Sequence, residues 1–140
     1  MGFLADNAIA IVVGLLIVIV LTKLYFRGGS NEYYPDLTGK TVVITGANTG
    51  IGYECTNVIA GLNPAKVILA CRNPKLGEQA VKDLGYKNVE FMQLDLNDLK
   101  SVEAFAKAFN AKFTTLDILL NNAGIMALPE RQVTAQGYEK

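Results

Sequence analysis

The segment Thr41–Gly52 (TVVITGANTGIG) constrains this chain more than any other feature. A β-branched run, typical of a buried strand, is followed by a turn containing three glycines and then by a helix-forming sequence. In such a strand–turn–helix unit, free backbone N–H groups and the positive end of the helix dipole lie where a pyrophosphate group binds. The segment therefore predicts the first βα unit of a dinucleotide-binding fold.

Strand and helix patterns alternate through the rest of the chain. The predicted strands are residues 40–45, 66–71, 88–94 and 116–120, and the predicted helices are residues 51–62, 75–84 and 99–112. Asp98 is the predicted N-cap of the last helix. Five apolar residues of that helix are predicted to lie on one face: Leu99, Val102, Phe105, Ala106 and Phe109. The alternation predicts an α/β fold with a parallel sheet and right-handed crossovers.

An apolar segment lies near the N-terminus. Residues 8–21 carry no charge, and extension to residue 26 adds only Lys23. At about 1.5 Å per residue, such a helix matches a hydrocarbon core of about 30 Å. A buried core helix is disfavoured because the run is apolar on every face, and a cleaved signal peptide because Asp6 stands where basic residues are typical. We predict a transmembrane anchor in residues 1–27, with the span at residues 8–26 in the lipid bilayer.

The charges around this span predict its orientation. Asp6 precedes the span, whereas Lys23, Arg27 and Lys40 lie at its end or after it. This bias places the C-terminal part in the cytosol. The endoplasmic reticulum is the predicted membrane, and a mitochondrial membrane is the alternative. Residues 28–35, which include a Gly-Gly-Ser-Asn run, are the predicted linker to a domain at residues 36–140.

Composition excludes several classes of function. Basic and acidic residues balance at 13 each without a basic stripe, which argues against a nucleic-acid partner. The absence of histidine excludes Ser-His-Asp triads, Cys-His dyads and histidine-based zinc sites. Two cysteines, Cys55 and Cys71, are too few for a disulfide framework and are interpreted as buried structural thiols in a reducing compartment.

The glycine spacing narrows the kind of turn. A P-loop requires Gly-Lys-Ser/Thr where this chain has Ile51-Gly52-Tyr53. The order Gly46-x-x-x-Gly50-x-Gly52 also differs from G-x-G-x-x-G, and a purely structural turn is the alternative for the glycines taken alone.

Four motifs in a fixed order give a more specific indication. They are residues 45–52 (TGANTGIG), residues 69–73 (LACRN), Asp95-Leu96, and residues 121–124 (NNAG). With these motifs the chain resembles the short-chain dehydrogenases/reductases, and most closely their membrane-anchored, retinol-dehydrogenase-like members, from about residue 36 to residue 127. The resemblance implies a Rossmann-type sheet of order 3-2-1-4, of which this chain holds the N-terminal half.

The resemblance also implies a set of cofactor-binding residues. All four motifs follow predicted strands, at the edge where an open α/β sheet binds its ligand. Asp95-Leu96 is where the family contacts the adenine ring. The implied residues are Gly46, Asn48, Thr49, Gly50, Ile51, Gly52, Arg72, Asp95, Leu96, Asn122, Ala123 and Gly124.

The end of the second strand distinguishes NADP from NAD. A carboxylate there would bind a ribose 2′-hydroxyl, but this chain has Arg72 and no nearby acid. An arginine suits a 2′-phosphate through its charge and bidentate geometry, so NADP is predicted over NAD. An ordinary surface arginine is the alternative.

The family's catalytic residues are absent from these 140 residues. Its members use a Tyr-x-x-x-Lys pair, a serine ahead of it and an asparagine, all beyond the strand-four motif; the lysine and the cofactor ribose lower the pKa of the tyrosine. No tyrosine of this chain has a lysine four residues on, and Tyr138 with Lys140 has the wrong spacing. No catalytic residue and no metal ligand is therefore assigned, and the chain alone is expected to be inactive.

Two hypotheses for function remain open. In the first, the sequence is the cofactor-binding half of a membrane-anchored, NADP-dependent oxidoreductase of a lipophilic alcohol or carbonyl, such as a retinoid or sterol. In the second, it is a non-catalytic short form that acts as an accessory subunit of a membrane assembly. The predicted strand at residues 116–120 would then form an apolar edge, which a protein partner would cover.

Overall fold

The computed structural model describes residues 7–29, 33–126 and 128–140. The chain divides between Tyr34 and Pro35 into two compact units. Within the described part of the first unit, helix α1 (Ala8–Tyr25) has 18 residues and none of them is buried. By length and composition it is a candidate membrane span, and its exposure argues against the core-helix alternative. Asp6, Ser30 and Asn31, which the predicted anchor and linker include, lie outside the described residues.

The second unit contains a four-stranded parallel sheet of order β3-β2-β1-β4. Its strands are β1 (Thr41–Thr45), β2 (Lys66–Cys71), β3 (Val89–Gln93) and β4 (Ile118–Leu120), and its helices are α2 (Gly50–Ala60), α3 (Pro74–Leu84) and α4 (Leu99–Lys112). The parallel α/β fold and the strand order confirm the prediction. The sheet therefore brings the carboxyl ends of four strands to one edge.

The two central strands form the core because helices pack on both faces of the sheet. Val42 and Ile44 of β1 belong to a cluster with residues of α2 and α3, whereas Val43 faces a second cluster that includes Phe109 of α4. All three β1 side chains are at most 1% exposed. Full burial of such a side chain stabilises a fold by about 1.5–3 kcal/mol, so β1 is held rigidly and the turn that follows it has a fixed starting point.

Helix α4 packs on the sheet through only part of its predicted apolar face. Its bounds and its N-cap are as predicted, with the Asp98 carboxylate accepting a hydrogen bond from the Lys100 N–H at 3.0 Å. Val102, Phe105 and Phe109 pack on the sheet, but Leu99 is 51% exposed and Ala106 is exposed. The helix contacts the sheet through fewer residues than its periodicity indicates, because Leu99 lies at its first turn, beside the carboxyl edge of the sheet.

Three other expectations need correction. Helix α2 ends at Ala60 rather than residue 62, where Gly61 is its C-cap. Strand β4 begins at Ile118 rather than at residue 116. The Thr41 N–H donates its hydrogen bond to the Asp117 carboxylate at 2.8 Å instead of to a backbone carbonyl of β4. Cys71 is buried, but Cys55 is only partly buried; both are free thiols.

Candidate functional site

The turn after β1 requires glycine at two positions. Gly46 and Gly50 have φ angles of 65° and 57°, in a backbone region that residues with a Cβ atom rarely adopt. A Cβ atom on Gly46 would also lie 2.9 Å from the Cα atom of Ala123. The turn therefore passes close to the end of β4.

Gly52 allows helix α2 to approach this turn. A Cβ atom at this position would lie 2.5 Å from Nδ2 of Asn122 and 2.6 Å from the carbonyl oxygen of Gly46. Both distances are shorter than a van der Waals contact, so only glycine fits. The first turn of α2 is thereby held against the ends of β1 and β4.

The amide groups of this turn are available to a ligand. Across the described residues, the backbone N–H groups from Asn48 to Gly52 have no hydrogen-bond partner. Thr49 is the N-cap of α2, in extended conformation, and its side chain makes no capping bond. Unpaired N–H groups at a helix N-terminus attract an anion, which fits a phosphate group.

Thr45 and Asn122 join the end of β1 to the end of β4 by hydrogen bonds next to the turn. The Thr45 hydroxyl oxygen accepts hydrogen bonds from the backbone N–H groups of Asn122 at 3.1 Å and Ala123 at 2.9 Å. The Asn122 side-chain amide donates to the Thr45 carbonyl at 2.8 Å. Asn122 thus shapes the turn in this structure, while its predicted contact with a cofactor stays a prediction.

The end of β2 presents Arg72 to solvent. Its carbonyl accepts a hydrogen bond from the Gln93 side chain at 3.3 Å, and its guanidinium group makes no ion pair with any residue that the structure describes. The neighbouring thiol of Cys71 is buried, and burial raises its pKa. Arg72 is therefore the cation of this strand end, and Cys71 is a neutral packing residue.

The end of β3 places Asp95 and Leu96 beside Arg72. The Asp95 N–H donates to the Ser101 hydroxyl at 2.9 Å, and one Asp95 carboxylate oxygen accepts from the Asn97 N–H at 2.9 Å. Leu96 is 52% exposed. This strand end therefore offers an oriented carboxylate and an apolar surface side by side.

A cleft of about 520 Å³ lies along the carboxyl edge of the sheet. Seven of the predicted site residues line it: Gly46, Asn48, Arg72, Asp95, Leu96, Ala123 and Gly124. The other five do not: Thr49, Gly50, Ile51, Gly52 and Asn122. Four of these five lie at the N-cap and in the first turn of α2, and Asn122 hydrogen-bonds to Thr45.

Several cleft residues were missed from the sequence. Thr45 and Cys71 lie within the motifs, and Asn97 and Leu99 follow Asp95-Leu96 closely, so their positions in the sequence could have indicated them. Thr134, Gln136, Tyr138, Glu139 and Lys140 also line the cleft. No motif or periodicity marks this second group.

Comparisons with known proteins identify the family. A family model described as short chain dehydrogenase matches residues 40–140. The chain belongs to the short-chain dehydrogenase/reductase family, as the resemblance implied. It is similar to retinol dehydrogenase 12 of Homo sapiens, with 44% identity over 82% of this chain and 37% of the relative. A short-chain dehydrogenase/reductase of Armillaria gallica is 46% identical over 75% of this chain and 35% of the relative, and a polyprenol dehydrogenase of Danio rerio is 38% identical over 86% and 38%.

Solved structures agree on the fold. An L-sorbose reductase from Gluconobacter frateurii, complexed with NADPH and L-sorbose, has a TM-score of 0.59 and 28% identity over 66% of this chain and 37% of that chain. A metagenomic short-chain oxidoreductase in complex with NADP has the same TM-score and identity over 65% and 42%. The chain thus spans between 35% and 42% of the length of these relatives.

Proposed function

We propose that residues 36–140 form the cofactor-binding half of an NADP-dependent oxidoreductase site. The observation that carries the proposal is the single cleft that Gly46, Asn48, Arg72, Asp95 and Gly124 line at the carboxyl edge of the sheet. Open α/β sheets bind their ligands at this edge. The solved relatives complexed with NADPH and NADP support the same choice of ligand.

Each part of the cofactor has a matching surface. The free amides from Asn48 to Gly52 suit the pyrophosphate, and the Asp95 carboxylate with Leu96 suits the polar edge and flat face of adenine. Arg72 suits the ribose 2′-phosphate through its charge and its bidentate geometry. NADP is therefore proposed over NAD.

The test of this proposal is the substitution Arg72→Ala. We expect it to weaken NADPH binding by about 1.5–3 kcal/mol, the range for a hydrogen bond to a charged group, which is roughly 10- to 150-fold in Kd. NADH binding should hardly change. Isothermal titration calorimetry of both nucleotides measures the difference.

Lys82→Ala is the matched control, because Lys82 is an exposed cation in the last turn of α3 and does not line the cleft. It should leave both affinities unchanged. Equal losses for NADPH and NADH in Arg72→Ala would show that Arg72 acts elsewhere, and no binding of either nucleotide by the wild-type chain would refute the cofactor proposal.

The substrate proposed is a lipophilic alcohol or carbonyl of the retinoid or sterol kind. Relatives named retinol dehydrogenase and polyprenol dehydrogenase support this class. The apolar helix α1 supports anchoring in a membrane, where such substrates concentrate. Hydride transfer also needs a proton donor, and the family's Tyr-x-x-x-Lys pair is not among these 140 residues. We therefore expect no retinal reduction by this chain alone with NADPH, and turnover once a segment carrying that pair and the serine is joined to it.

The second candidate is a non-catalytic accessory subunit of a membrane assembly. It is favoured by one observation: within the described chain, β4 pairs only with β1, and Ile118 and Leu119 are 37% and 51% exposed. A protein partner would cover this apolar edge. Cofactor binding with an intact preference for NADPH favours the first candidate, whereas a chain that binds no nucleotide favours the second.

A further inference from the structure

Residues 131–140 fold into a closed turn beside the cleft. Val133 and Glu139 form an antiparallel bridge, and the Thr134 N–H donates to the Tyr138 carbonyl at 2.7 Å. The Lys140 N–H donates to the Gln132 carbonyl at 3.0 Å. These local bonds give the segment a defined shape, which we name the C-terminal turn.

One hydrogen bond ties the C-terminal turn to the rest of the site. The Gln136 side-chain amide donates to the Asp98 carboxylate at 2.8 Å, and the same oxygen accepts the N–H of Lys100 at the start of α4. Gln136 and Asp98 are 38 residues apart in sequence, so the bond is a tertiary contact. It holds the C-terminal turn at the cleft, next to the start of α4.

Tyr138 adds an aromatic side chain to the lining of the cleft. Tyr138 is 62% exposed and lines the same cleft as Leu96 and Leu99, which are 52% and 51% exposed. A planar base bound in this cleft would have an aromatic ring and apolar leucine side chains among its neighbours. Stacking on an aromatic side chain stabilises a bound base and requires no particular base, because every base has a π-face.

We propose that the C-terminal turn is a wall of the cofactor cleft, in which Tyr138 stacks on the adenine base and Gln136 positions the turn through Asp98. The proposal rests on the cofactor-binding function proposed above. It adds a base-binding residue that lies outside the four motifs.

Adenosine 2′,5′-bisphosphate is the probe, because it carries the base and the 2′-phosphate without the nicotinamide. We expect Tyr138→Ala to raise its Kd by roughly 10- to 100-fold and Tyr138→Phe, which keeps the ring, to stay close to wild type. Tyr34→Ala is the matched control, since Tyr34 is 56% exposed and is not a cleft residue. Calorimetric titration gives each value.

Gln136→Glu tests the positioning bond, because it sets a carboxylate against the Asp98 carboxylate with almost no change of shape. We expect weaker binding of the bisphosphate and, in the nucleotide-free protein, faster tryptic cleavage after Arg131. Gln79→Glu is its control: Gln79 donates to Asp83 in the same way, at 2.8 Å, on helix α3.

These experiments distinguish failure of the proposed wall from failure of the proposed cofactor site. Wild-type binding that Tyr138→Ala leaves unchanged would overturn the stacking role while the cofactor site stands. Cleavage after Arg131 at equal rates in Gln136→Glu and Gln79→Glu would overturn the positioning role. No bisphosphate binding by the wild-type chain would overturn the cofactor site and this wall together.

Discussion

Gly52 lies where α2 meets the turn after β1, and its lack of a side chain sets the distance between them. We expect Gly52→Ala to lower the free energy of unfolding by about 1–3 kcal/mol, the usual cost of overpacking, because the new methyl group would meet Asn122 and the Gly46 carbonyl. Urea unfolding in detergent micelles measures the change.

Gly61→Ala is a suitable control for this substitution. Gly61 has a φ of −71°, and its Cβ atom would meet its nearest neighbour, the Val58 carbonyl oxygen, at 3.4 Å. Equal stability of the two variants would contradict the packing role of Gly52.

Asp117 gives the sheet a pH-dependent link between β1 and β4. Two hydrogen bonds hold the pKa of the Asp117 carboxyl below its usual value of 3.8. The bond from the Thr41 N–H has the larger effect, and the bond from Lys40 at 2.9 Å has the smaller one. Because the folded pKa is lowered, the stabilisation is present above pH 3.8 and is lost as the pH falls through the folded pKa.

We therefore expect the stability difference between wild type and Asp117→Asn to be constant near neutral pH and to shrink below about pH 4. Thermal unfolding followed by circular dichroism at several pH values tests this. Glu130→Gln, at an exposed carboxylate without an ion pair among the described residues, should show no such pattern. A difference that persists at pH 2 would contradict the assignment to the charge of Asp117.

At the scale of elements, local patterns predicted most of the fold. The β-branched runs correctly predicted β1 and β2, and the N-cap residue Asp98 correctly predicted the start of α4. Both signals depend on neighbouring residues alone. The errors arise where contacts between distant segments determine where a strand begins or how exposed a side chain is. Asp117 shortens β4 by a side-chain bond to Thr41, and the carboxyl edge of the sheet leaves Leu99 exposed.

Helix α1 carries the membrane prediction. We expect the chain to remain with membranes after alkaline carbonate extraction. Leu15→Glu with Leu16→Glu should release it, because a charge at the centre of a span costs about 2.5–3.5 kcal/mol. The control pair Leu15→Ala with Leu16→Ala should stay bound. Release of the wild-type chain by carbonate would contradict the anchor.

The same helix carries the orientation prediction. Protease added to intact microsomes should remove residues 36–140, because Lys23, Arg27 and Lys40 favour the cytosolic side. Protection of these residues until detergent is added would show the opposite orientation.

At the scale of the whole molecule, the sequence indicated residues on the strand side of the cleft but none on the C-terminal turn. The four motifs follow strands of a parallel sheet, and strand order alone brings them to one edge. The C-terminal turn reaches that cleft through the contact of Gln136 with Asp98. Such a contact between distant segments has no periodicity, so no sequence pattern could predict it.

The most direct test of the cofactor cleft is hydrogen–deuterium exchange of the full chain in detergent micelles, with and without NADPH. We predict slower exchange with NADPH at residues 46–52, 71–72, 94–97 and 122–125, the ends of the four strands. Residues 54–60 of α2 and 104–112 of α4 should exchange as in the free protein. Protection confined to those helical residues, or no protection at saturating NADPH, would contradict a cofactor site at this edge of the sheet.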